Sequence, residues 1–87
     1  ANAGHTRSLS LARIEADNRL VEAVADTATL RAGSTSGESV QRGQAFDWVR
    51  EIEIRDESGL AGIRVTVSDA ATGQQLALRE TLVQVKP

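Results

Sequence analysis

Eighty-seven residues hold a single domain spanning 1–87, and a chain this short buries only about 60–65% of the surface its unfolded form exposes. Much of the 40% hydrophobic content is alanine, with one Phe, one Trp and no Met, so the core is thin and packing against another protein would add stability. The net charge of −2 and the pI near 5.3 exclude a nucleic-acid binder or a polybasic membrane-surface protein, because the only lysine is Lys86 and the nine arginines stand singly among acids. No cysteine is present, which removes disulfides and thiolate metal sites.

No apolar run approaches the roughly 18–20 residues needed to cross a bilayer, and no signal-peptide core is visible. The chain opens at Ala1 without Met and runs almost directly into a helix. We therefore expect a mature fragment with a segment removed upstream.

Residues 6–31 contain no Gly or Pro and many good helix formers, which predicts a long helix with Thr6 or Ser8 as N-cap. Ala32-Gly33 supplies its stop, and Arg31 suits the negative end of the dipole. At about 100° per residue, Leu9, Ala12, Ala16, Leu20, Ala23, Thr27 and Leu30 form one stripe. Leu11, Ile14, Asn18, Val21, Ala25 and Ala28 form a second on roughly the opposite side. Between them runs a charged wedge of Glu15, Arg19, Glu22 and Asp26, with i,i+4 pairs expected at Glu15–Arg19 and Arg13–Asp17.

A helix lying on its own sheet needs one apolar stripe, and this one has two. Either the second is alanine-rich filler left in water, or it meets a neighbouring molecule. In the second case the leucine-rich stripe, with more area to bury, faces the sheet. Leu11, Ile14, Asn18, Val21 and Ala25 then form the candidate partner-binding surface, where Ala25 permits close approach and Asn18 can fix register across a helix seam.

Residues 32–45 are rich in Gly and Ser and read as a loop, with a short edge strand over Ser39–Gln41 before a turn at Arg42-Gly43. Alternation then predicts a strand over 46–55, with Phe46, Trp48, Ile52 and Ile54 on one face and Trp48 buried against the helix. Asp56-Glu57-Ser58-Gly59 is a turn. Ile63, Val65 and Val67 alternate through a strand over 61–68, and Ala70-Ala71-Thr72-Gly73 turns into the last strand, 75–85. There the apolar phase shifts from Leu76 and Leu78 to Val83 and Val85, which predicts a bulge near Glu80–Leu82. The expected architecture is α+β: one long N-terminal amphipathic helix on a three- to four-stranded antiparallel meander.

The search for chemistry is empty. A Ser–His–Asp set needs a placed histidine, and the only one, His5, lies near the terminus. Glu51/Glu53 and Glu22/Asp26 sit beside arginines as surface charge rather than as an acid–base pair. Asp56-Glu57-Ser58-Gly59 has the wrong spacing for calcium, Asp69 is isolated, and Gly59-Leu60-Ala61-Gly62 lacks the Lys-Ser/Thr of a phosphate loop. We expect no enzyme, no cofactor and no metal, and a protein that works by assembling with similar domains.

Ala16-Asp17-Asn18-Arg19-Leu20-Val21-Glu22, within Ala12–Val24, resembles the A-x-N-x-L-x-E signature of minor pseudopilin I (the GspI family) of bacterial type II secretion systems. Gly43-Gln44-Ala45-Phe46-Asp47-Trp48 resembles that family's Gly and aromatic-rich strand, and Leu60–Val67 its following strand. Ile14 and Glu15 stand where the family often has an aromatic. The resemblance implies a pilin-like fold, a cleaved leader, methylation, and an apolar membrane helix upstream of a periplasmic domain at the inner membrane. It further implies a structural role at the pseudopilus tip with minor pseudopilins J and K and with H near by. Other readings are a minor pilin of a type IV pilus, which shares helix and sheet, and a cystatin-like binding module. Cystatins need Gln-x-Val-x-Gly, which Gln41-Arg42-Gly43 does not supply.

Overall fold

Helix α1, Ala3–Ala25, packs across one face of an antiparallel meander of β1 (Gly33–Gln41), β2 (Gln44–Arg55), β3 (Leu60–Asp69) and β4 (Gln75–Gln84), in that spatial order. The structure is a computed structural model that describes residues 3–25, 30–55 and 59–84. Asp26, Thr27 and Ala28 of the expected helix, Asp56 to Ser58 of the expected turn, Val85 of the last strand and Lys86 lie outside the described residues.

The helix begins before the expected caps, so Thr6 and Ser8 lie inside it, and the Ser8 hydroxyl reaches Gly4 O at 3.0 Å and Gln44 Oε1 at 2.9 Å. Leu30 to Ala32 belong to no helix or strand, and Gly33 opens β1 rather than capping α1. Ala12 and Ala16 are fully buried. With no side chain beyond Cβ at these two positions, the helix backbone can lie close over the sheet.

Strand β3 is the centre of the core. Ala61, Ile63, Val65 and Val67 are buried on the helix side, and Phe46, Trp48, Leu76, Ala77, Leu11 and Ala23 join them. Leu9, Leu20, Ile52 and Val83 pack on the rim. The leucine-rich stripe thus faces the sheet, and Trp48 is buried as expected.

Two expectations for the strands need correction. Residues 33–41 form a full nine-residue strand in continuous register with β2, from Gly33↔Ile52 to Gln41↔Gln44. Gly and Ser have low intrinsic strand preference, but here shape fixes the pairing. Gly37 lies opposite Trp48, and a Cβ on it would stand 2.8 Å from the indole Cζ2. Only a missing side chain lets the ring spread across β1.

The bulge is in β4 but earlier than expected. Val67 pairs with Ala77 and Ser68 with Gln75, which leaves Leu76 as the extra residue. Leu76 and Ala77 are therefore both buried, and Leu78 and Leu82 turn to the outer face at 41% and 53% exposure. The two short turns follow local chemistry. Arg42 and Gly43 both have positive φ, 50° and 82°, as a two-residue hairpin turn requires. Asp69 Oδ1 accepts the N–H groups of Ala71 at 2.7 Å and Thr72 at 3.3 Å, ahead of Gly73 at φ 77°.

Candidate partner interface

The crest of α1, turned away from the sheet, carries Ile14 at 50% and Val21 at 64% exposure, with Asn18 and Ala25 exposed between and beyond them. Four of the five residues read from the sequence as a partner-binding stripe thus lie together in solvent. Leu11 does not. It is buried at 6% within the core, so the expectation that it lies off the core fails. On a helical wheel it sits about 60° from Ile14, toward Glu15, and that flank of the helix leans onto the sheet. Val24, 40% exposed, adjoins the crest on the other side. Sequence reasoning missed it because it falls between the two stripes.

The crest is held in place by polar contacts on both flanks. On one, Glu15 forms the expected i,i+4 pair with Arg19 and is buried at 4%. Its Oε2 is 2.6 Å from Arg19 Nε, and its Oε1 accepts a hydrogen bond from Gln41 Nε2 of β1 at 2.8 Å. Burial pushes the carboxyl upward, but hydrogen bonds from Gln41 and Arg19, a nearby Ser39 hydroxyl outside good bonding geometry, and the Arg19 charge outweigh it, so Glu15 titrates below its ordinary range. Arg19 in turn lies over the Trp48 ring at 4.5 Å and bonds Glu22 at 3.2 Å. Burial lowers its pKa, yet Glu15 and Glu22 raise it further than burial depresses it.

On the other flank, Asp17 Oδ1 accepts from Arg79 Nε of β4 at 2.8 Å. Asp17 pairs across the fold rather than with Arg13. These two anchors fix the rotation of the helix about its axis, and therefore which residues stand on its crest.

Among the described residues, the other acidic residues singled out from the sequence lie apart from these contacts. Glu51 and Glu53 lie on the outer sheet face, Glu53 paired with Arg55 at 3.2 Å, and Asp69 serves its turn. His5 is exposed within α1. Among the described residues no group of three or more His, Cys, Asp or Glu is placed to hold a metal ion, and no helix is long and apolar enough to cross a membrane.

A helix whose one side closes a sheet and whose other side leaves Ile and Val in water defines a class: a small α+β domain built around a presented helix face. The chain belongs to the type II secretion system (T2SS) protein I family, which it matches over residues 7–84. Curated proteins and solved structures gave no match. The family is a structural component of the secretion system, a pseudopilus subunit of the bacterial cell envelope. Membership decides between the two pilin-type readings in favour of secretion.

Proposed function

We propose that this domain is a subunit of the pseudopilus tip, where the crest of α1 docks onto the helix of a J-type minor pseudopilin, with K- and H-type subunits near by. In this reading the domain stands in the periplasm, α1 continues from an upstream membrane anchor, and the protein supports secretion by assembly without a catalytic role. One observation carries it. Ile14 and Val21 stand on the crest at 50% and 64% exposure while the same helix buries Leu11, Ala12, Ala16 and Ala23 below. Asn18 lies between them as the polar residue that sets register.

The test is the double variant Ile14→Asp/Val21→Arg, followed by a circular-dichroism melt and by co-purification with the cognate J-type soluble domain. The variant is expected to melt like the parent and to lose the partner, because a desolvated, unpaired charge in an interface costs several kcal/mol. A folded variant that still binds places the partner surface elsewhere and refutes the reading.

A further inference from the structure

Strand β1 is an outer strand of the sheet, and among the described residues no strand pairs with its free edge. Natural sheets block such edges with bulges, prolines, lysines or covering segments. Gly33–Gln41 contains no Pro, Lys or Arg and keeps one register with β2 throughout, and α1 packs mainly over β4 and β3. The opposite edge, β4, is broken by the Leu76 bulge.

The hairpin fixes which backbone groups are free. A two-residue turn with positive φ at Arg42 and Gly43 makes Gln41 and Gln44 a mutually hydrogen-bonded pair. Alternation then points the N–H and C=O groups of Gln41, Ser39, Gly37 and Thr35 at β2, and those of Val40, Glu38, Ser36 and Ser34 outward. All four of these residues are exposed.

Charge says what fits there. Glu38 pairs in register with Asp47 of β2, so two carboxylates sit directly opposite each other on the outer face, an arrangement that destabilises a strand pair. Neither has an ion-pair partner among the described residues. A second copy added antiparallel about Gly37 would bring another such doublet alongside the first. We infer that β1 is a strand-addition site that takes an extended segment of another protein carrying Arg or Lys opposite Glu38, and that the Glu38/Asp47 doublet disfavours self-pairing. The site is separate from the crest of α1, and its failure leaves the proposed function standing.

The probe is a capped nine-residue peptide alternating Thr and Val with Arg at its centre, compared with a twin carrying Glu, titrated into the isotope-labelled domain and followed by amide NMR and hydrogen exchange. Without peptide, the amides of Ser34, Ser36, Glu38 and Val40 exchange fast and those of Thr35, Gly37, Ser39 and Gln41 slowly. The Arg peptide is expected to protect the fast set and to bind about tenfold more tightly than its Glu twin. Glu38→Arg should reverse that preference. Ser36→Pro, which removes an outward N–H without touching the β1–β2 ladder, should abolish protection in a domain that still melts normally; if it does not fold, the Glu38→Arg comparison decides alone. Equal binding of the two peptides, an absence of protection at the outward amides, or protection that grows with protein concentration alone would overturn the inference.

Discussion

Replacing Glu15 by Gln keeps the shape of the side chain and removes its charge. The carboxylate is 4% exposed as a residue, 2.6 Å from Arg19 and 2.8 Å from Gln41. Hydrogen bonds to charged groups contribute about 1.5–3 kcal/mol. The Arg19 side chain is 25% exposed, and solvent screening reduces that to about 1–2 kcal/mol. For a domain of this size each kcal/mol moves the midpoint by about 4–8 °C, so Glu15→Gln should lower Tm by about 4–16 °C at neutral pH. Glu15 titrates below its ordinary 4.5 in the folded state. Its contribution is therefore fully present above that unfolded value and is lost as pH falls through the lower folded one. Melts of parent and variant should differ at pH 7, and the gap should narrow in a second melt taken at acid pH, below that ordinary carboxylate value. A gap of the same size at both pH values would show that Glu15 acts through packing, and would refute the charge-based account.

Trp48→Ala should cost about 3–5 kcal/mol, read by chemical denaturation with far-UV dichroism, since the variant loses the only tryptophan and Arg19 loses the ring beneath it. Gly37→Ala puts a Cβ 2.8 Å from the indole and should lower Tm, whereas the same change in Trp48→Ala should have much less effect, a coupling that a double-mutant cycle measures. Asp69→Ala removes the acceptor for Ala71 and Thr72 and should cost about 1 kcal/mol without altering partner binding.

The helix, the strands at 46–55 and 61–68 and the two-sided character of α1 were legible because they rest on period and alternation, which side chains display directly. Strand β1 was not. Its residues are poor strand formers, and what places them is the flat indole of Trp48 lying over Gly37, a contact between positions eleven apart that no local pattern reveals. The phase change in β4 was visible as a bulge, yet its position was not, because Leu76 and Ala77 can both be buried only once the helix is known to cover that end of the sheet. At the candidate interface, Ile14, Asn18, Val21 and Ala25 came out together and Leu11 did not. A helical wheel gives angles between residues but not the rotation of the helix on its sheet. Here that rotation is set by Glu15–Gln41 and Asp17–Arg79, and the signal for the first, an acid followed four residues later by Arg, reads equally as a surface pair.

Every strand in the sheet neighbours the strand next to it in the chain, so the meander closes through short loops and can form quickly. The helix differs. Its contact from Asp17 to Arg79 spans 62 residues, and it must wait for the last strand before it can settle. During synthesis α1 emerges before every strand of the sheet and docks last. Until it does, Phe46, Ile63, Val65 and Val67 form a continuous apolar face open to any other chain. Changes that weaken the docking of α1 should therefore lower yield by aggregation before they measurably lower the stability of the molecules that fold.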